Sequence, residues 1–99
     1  MIQVGIIGGA GYTAGELIRI LLNHKEVAIN YVYSTSNAGN KVSAIHQDLV
    51  GDTELIFSSK INSNVDVLFL CLGHGNSKDF LVKTAISSST KVIDLSTDF

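Results

Sequence analysis

The residues with the clearest chemical meaning form a glycine-rich run near the amino end of the chain. Gly8, Gly11 and Ala14 follow the pattern Gly-x-x-Gly-x-x-Ala, directly after a β-branched stretch. Unblocked backbone N–H groups and the positive end of a helix dipole bind the diphosphate of a dinucleotide. Gly8 would permit a tight turn, Gly11 a close approach of phosphate, and Ala14 close packing of the helix on the sheet. The residues predicted to bind cofactor here are Gly8, Ala10, Gly11, Tyr12, Thr13 and Ala14.

A glycine pattern alone is weak evidence, because a strand-to-helix turn without a ligand produces it as well. The second polar run, Ser34, Thr35 and Ser36, lies where a dinucleotide site distinguishes NAD from NADP. NAD sites commonly place a carboxylate there to accept hydrogen bonds from the ribose. Hydroxyl groups donate to a 2′-phosphate, and no carboxylate here would repel it, so the run predicts NADP. Lys41 is the nearest cation, and an ordinary polar turn is the alternative interpretation.

A third group of candidates follows the most apolar stretch of the chain. Gly73 and His74 are predicted to face the same crevice, where small residues let a ribose and nicotinamide pass; a capping or surface role for His74 is the alternative. Cys71 lies among leucines, where a thiol acts as a small hydrophobe with a raised pKa, so we predict a structural role and assign no catalytic residue. His46 and His74 show no spacing to Cys71 that indicates a dyad. One Cys and three scattered His make no metal-ligand set, so no metal is predicted.

These candidates need elements that bring them together. Apolar and β-branched runs predict five strands: Gln3–Ile7, Val27–Tyr33, Leu55–Phe57, Val65–Leu72 and Val92–Ser96. Helical spacing of apolar residues predicts a helix from Thr13, a short one over Val42–Leu49 and another after Ser77. Alternating strands and helices favour an α/β, Rossmann-like doubly wound parallel sheet in the order 3-2-1-4-5, with helices on both faces. Because the last strand is followed by almost nothing, residues 1–99 are expected to be the amino-terminal part of such a domain.

Composition limits the class of protein. The chain has 99 residues, 45% of them hydrophobic and 16% charged, with a net charge of −2 and no Pro. This excludes intrinsic disorder and collagen-like sequence, and scattered basic residues argue against nucleic-acid binding. The longest apolar run, Val67 to Leu72, is too short to cross a membrane, and no secretory signal is expected. The single Cys suits a reducing compartment, so the predicted location is the cytoplasm.

Four motifs, in register along the whole chain, resemble the amino-terminal part of N-acetyl-γ-glutamyl-phosphate reductases. They are Gly8–Leu17, Ser34–Gly39, Leu72–Gly75 and Asp94–Phe99. The chain departs from the family where Gly73 replaces a frequent Pro, where Gln47 follows His46, and where Ser34–Ser36 lacks Arg. Aspartate-semialdehyde dehydrogenases share the general plan.

The resemblance implies a function in arginine biosynthesis. Members of this family use NADPH to reduce an N-acyl-glutamyl 5-phosphate to the 5-semialdehyde, with release of phosphate. A Cys thiolate and a His acid/base do this chemistry in a second domain, so this chain alone is expected to bind cofactor and to catalyse nothing. The whole protein is expected to be a homo-oligomer that takes a small acyl-phosphate substrate. Alternatives are the cofactor domain of an aspartate- or aminoadipate-semialdehyde dehydrogenase, disfavoured by Tyr12 and the His74 loop, and a non-catalytic nucleotide sensor.

Overall fold

The computed structural model describes residues 1–62, 64–72, 80 and 86–95. These residues contain a four-stranded sheet in the order β2-β1-β3-β4, in which every pair of neighbouring strands is parallel. The strands are β1 Ile2–Ile7, β2 Val27–Tyr33, β3 Val67–Leu70 and β4 Lys91–Asp94. The helices are α1 Tyr12–Leu22, α2 Val42–Ile45 and a 3₁₀ turn, Gln47–Leu49. The predicted α/β Rossmann-like sheet is therefore confirmed.

β1 is the central strand, and its sequence explains why. Val4 to Ile7 are all buried, as expected of a strand with neighbours on both sides and a covered surface on both faces. Val4 and Ile6 belong to one apolar cluster, which also takes Ile18 from α1. Ile7 belongs to a second cluster. Successive side chains of β1 thus pack alternately into the apolar clusters on the two faces of the sheet.

The second cluster lies on the opposite face of the sheet. It contains Ile7, Tyr31, Val65, Leu68 and Leu70, with Phe80 and Ile86 packed against it. The sheet is therefore covered on both faces, as predicted. The helix predicted after Ser77 lies outside the described residues, apart from Phe80.

The predicted third strand, Leu55–Phe57, is not a strand. The segment does lie beside β2, as the order 3-2-1-4-5 requires, but the two are joined only by a parallel bridge between Ser58 and Tyr33. The backbone of Phe57 hydrogen-bonds the preceding loop instead: Phe57 N donates to Asn40 O (2.9 Å) and Gly39 N donates to Phe57 O (2.9 Å). On the side of β2 only Ser58 forms backbone hydrogen bonds: its N–H donates to Val32 O (2.9 Å) and its carbonyl accepts from Ser34 N (3.0 Å), so the pairing stays a single bridge.

Other boundaries differ slightly from those predicted. The helix expected over Val42–Leu49 is one turn of α-helix followed by the 3₁₀ turn. The strands expected over Val65–Leu72 and Val92–Ser96 are shorter, and Ser96 lies outside the described residues. Among the residues described, no helix is long and apolar enough to cross a membrane.

Candidate functional site

A cavity of about 340 Å³ lies at the carboxyl ends of β1, β2 and β3. Parallel strands end at the same edge of a sheet, so the residues that follow them converge there. The lining residues are Gly8, Ala10, Gly11, Tyr33, Ser34, Thr35, Ser36, Cys71 and Leu72. The glycine run and the hydroxyl run, far apart in sequence, are therefore two walls of one cavity.

The turn out of β1 requires glycine for reasons internal to the protein. Gly8 has φ +80°, and a Cβ on it would lie 2.8 Å from the carbonyl oxygen of Cys71. The N–H groups of Gly8 and Gly9 both donate to Tyr33 O, each at 3.0 Å. The last carbonyl of β2 thus holds the turn against the sheet edge.

Gly11 is different, because nothing in the described part of the protein requires glycine there. Its φ is −78°, which any residue adopts, and a Cβ on it would meet no atom of the described residues within 4 Å. It is the N-cap of α1, and no side chain caps the helix. The unfilled space beside uncapped backbone N–H groups fits the phosphates of a dinucleotide.

The polar wall of the cavity is built around Asn37. Its side-chain amide donates to Ser34 Oγ and to Ser36 Oγ, both at 3.3 Å. Ser34 is buried, whereas Thr35 and Ser36 are exposed. Among the lining residues that the structure describes, none carries a carboxylate. Lys41, the nearest cation in sequence, forms an exposed ion pair with Glu54 (3.6 Å).

Three predicted cofactor residues do not line the cavity. Tyr12 is 85% exposed, Thr13 is exposed, and Ala14 is fully buried in the core under α1. Ala14 therefore has the packing role expected of a small residue at this position. Gly73 and His74 lie outside the described residues.

Cys71 lies immediately after β3 instead of inside it, and it lines the cavity. It is partly buried and packs against the cluster that contains Ile18. Burial, with a smaller contribution from the negative charge of Asp94, raises the pKa of the thiol to about 11. A thiol that stays protonated at neutral pH is a poor nucleophile, and the structural role of Cys71 stays a prediction that its burial supports.

His46 is the residue that sequence reasoning undervalued. It is buried, and its Nε2 lies 2.6 Å from the carbonyl oxygen of Gly9. Its ring packs at a tilt against Phe57, with ring centroids 6.3 Å apart. The sequence offered one signal for a buried His46: it lies at helical spacing with Val42 and Leu49, so it occupies a position that faces the core. Within the described part of the chain, no group of three or more His, Cys, Asp or Glu could hold a metal ion.

Comparison with known proteins gives the family. Residues 3–99 match the family described as "Semialdehyde dehydrogenase, NAD binding domain". N-acetyl-gamma-glutamyl-phosphate reductases from Christiangramia forsetii and Flavobacterium johnsoniae are 68% and 61% identical over the whole chain. The chain spans only 31% and 30% of their respective lengths.

A solved structure with the same fold is that of aspartate semialdehyde dehydrogenase with NADP from Candida albicans. It is 20% identical, with a TM-score of 0.74, over 99% of this chain and 30% of that protein. At this identity the likeness concerns the fold alone. The family match covers nearly all of the sequence, so the chain belongs to the family of semialdehyde dehydrogenase NAD-binding domains.

Proposed function

We propose that this chain is the NADP-binding domain of an N-acetyl-γ-glutamyl-phosphate reductase. The observation that carries the proposal is the cavity in which the glycine turn meets a hydroxyl-rich wall whose described residues include no carboxylate. The identity of 68% to a relative of that name, over the whole chain, supports the same assignment. The place in arginine biosynthesis, the cytoplasmic location and the homo-oligomeric state remain predictions from the sequence.

In this proposal the two walls bind different parts of the cofactor. The backbone around Ala10 and Gly11 takes the diphosphate, because Gly11 is the N-cap of α1 and a Cβ on it would meet no atom of the described residues. The hydroxyl groups of Ser34, Thr35 and Ser36 take the 2′-phosphate of the adenosine ribose. Asn37 donates to two of these hydroxyl oxygens, which leaves their own O–H groups free to donate to phosphate.

The reaction would be the reduction of an acyl phosphate to an aldehyde, for which bound NADPH supplies a hydride. The residues of this chain bind and orient the dinucleotide. They do not supply the nucleophile, since Cys71 has a pKa of about 11 and packs against the core. The acyl-phosphate site and the reactive thiolate belong, in this proposal, to the two-thirds of the relatives' length that the chain does not cover.

The test is a titration of the chain with NADPH and with NADH, in which fluorescence or calorimetry gives the two dissociation constants. We expect tighter binding of NADPH. Ser36→Asp should weaken NADPH binding by roughly tenfold to a hundredfold through like-charge repulsion. The same variant should leave NADH binding unchanged or improve it, because a carboxylate there can accept hydrogen bonds from the ribose hydroxyls.

Ser88→Asp is the matched control for charge. Ser88 is exposed and precedes β4, so it lies near the amino ends of the strands, across the sheet from the cavity. It should leave both affinities unchanged. Equal affinities of the parent chain for NADPH and NADH would contradict the NADP assignment, and no binding of either would contradict the proposed function itself.

A further inference from the structure

We propose that His46 is a positioning residue that sets the orientation of the peptide between Gly9 and Ala10. In that orientation the Ala10 N–H group is presented to the cavity as a donor for the diphosphate of the dinucleotide. The inference deepens the proposed function and depends on it. It gives a role to a buried polar side chain that the chemistry of the reaction leaves unused.

The contact between His46 and the glycine turn fixes which nitrogen carries the proton. The carbonyl oxygen of Gly9 only accepts, so Nε2, at 2.6 Å, must be the donor. His46 is 8% exposed, and the hydrogen bond is buried. A short hydrogen bond in a buried position confines the carbonyl far more tightly than one in water.

Peptide geometry transmits this constraint to the cavity. A trans peptide is planar, and its C=O and N–H point in opposite directions. All peptide bonds described are trans. With the Gly9 carbonyl turned toward His46, the N–H of Ala10 points away from the histidine, and Ala10 lines the cavity.

The neighbouring N–H groups are already used. Those of Gly8 and Gly9 both donate to Tyr33 O. Among the described residues, the N–H of Ala10 has no acceptor. It is therefore the first donor of the turn that is left for a ligand.

Gly15 explains how the ring reaches this place. A Cβ on Gly15 would lie 2.5 Å from His46 Nδ1, so only glycine at this position of α1 leaves room for the imidazole. Phe57 packs on the ring as well. The ring is thus confined between α1 and the segment that follows the 3₁₀ turn, with Nε2 directed at Gly9.

Three substitutions at one position separate a positioning role from a merely structural one. In His46→Gln the side-chain amide nitrogen can reach the position of Nε2. In His46→Asn it lies near the position of Nδ1, too far from Gly9 to donate, and His46→Leu keeps volume without a donor. We expect His46→Gln to bind NADPH within about threefold of the parent chain, and the Asn and Leu variants to bind at least about tenfold more weakly.

The free energy of unfolding in urea is measured for each variant alongside the dissociation constant. If His46 has only a structural role, the NADPH affinity of the variants should fall only as their free energy of unfolding falls, or should be unchanged in variants that are fully folded. The proposal predicts that Gln and Asn variants of similar stability differ in affinity. A Leu or Asn variant that binds NADPH as tightly as the parent overturns it, and so does a Gln variant as weak as Asn.

A measurement on the parent chain keeps the test decisive if these variants fail to fold. Nitrogen-15 NMR should show the neutral ring of His46 protonated at Nε2, and saturating NADPH should shift the amide resonance of Ala10. Protonation at Nδ1, or an Ala10 amide that does not respond to bound NADPH, overturns the inference while the proposed function stands. A parent chain that binds neither NADPH nor NADH overturns the proposed function, which the titration shows before any variant is made.

Discussion

Three glycines near the site are required for three different physical reasons. Gly8 needs its left-handed backbone conformation, and Gly15 needs the space that His46 occupies. Gly11 needs neither, since its conformation is ordinary and no atom of the described residues approaches it. We therefore interpret glycine at this third position as clearance for the proposed ligand.

Gly11→Ala is expected to affect mainly dinucleotide binding, and Gly8→Ala mainly stability. Gly11→Ala should lower the free energy of unfolding by less than about 1 kcal/mol, a small capping effect, and weaken dinucleotide binding at least about tenfold. Gly8→Ala should destabilise the fold by roughly 1–3 kcal/mol, because it combines backbone strain with a clash against Cys71. Urea unfolding and NADPH titration of both variants check this. Unchanged affinity in Gly11→Ala would remove the argument for phosphate clearance.

The alkylation of Cys71 should depend on pH in a way set by its burial. Its pKa of about 11, against 9.0 for an ordinary Cys, makes the thiolate fraction at pH 8 roughly a hundredfold smaller in the folded chain than in the unfolded chain. Alkylation by iodoacetamide should be correspondingly slow, rise about tenfold per pH unit toward pH 10, and reach the ordinary rate in urea. Bound NADPH should slow it further, because Cys71 lines the cavity.

The raised pKa of Cys71 also determines how the stability of the fold depends on pH. The folded state disfavours the thiolate, so the stabilising contribution of the neutral thiol is complete below pH 9 and is lost as pH rises from about 9 to 11. Cys71→Ser removes the only thiol and serves as the labelling control. Fast alkylation of the folded chain at pH 7 would show that Cys71 is an activated nucleophile.

The elements of the sheet could be predicted because their signals are local. The apolar run of β3 and the alternation of strand and helix specify parallel strands without reference to distant contacts. The third strand was predicted wrongly because the partner of Phe57 is a loop, Gly39–Asn40, which no local pattern reveals. The position of this segment beside β2 was nevertheless predicted correctly. The connection rules of parallel sheets fix the order of the segments, but they do not fix which backbone hydrogen bonds each segment forms.

In the site, too, residues within continuous sequence runs could be predicted, whereas residues that depend on contacts distant in sequence could not. The glycine turn and Ser34–Ser36 are each a continuous run that can be recognised in the sequence, and their meeting at one sheet edge followed from the topology. His46 could not be assigned, because its contact with Gly9 spans 37 residues and depends on the absence of a side chain at Gly15. The position of Cys71 depended on where β3 ends, which is the least predictable property of a strand.

At the scale of the whole molecule, the proposed binding of cofactor in the cavity would be coupled to folding. It is formed by segments after three strands, so it exists only when the sheet is assembled. A ligand that binds only the folded state stabilises it by about 2.7 kcal/mol when present at 100 times its dissociation constant. For a domain of this size, that corresponds to an increase in Tm on the order of 10–20 °C.

We therefore expect NADPH to raise the Tm of this chain by such an amount, and NADH at the same concentration to raise it less. Circular dichroism during heating measures both shifts, and Ser36→Asp should reduce the first without reducing the second. The same samples, supplied with an N-acyl-glutamyl 5-phosphate, should show no oxidation of NADPH, because the residues of this chain bind the dinucleotide but supply no reactive thiolate. Equal shifts from both dinucleotides would contradict the preference for NADP. Oxidation of NADPH that disappears in Cys71→Ser would show that the chain carries its own nucleophile.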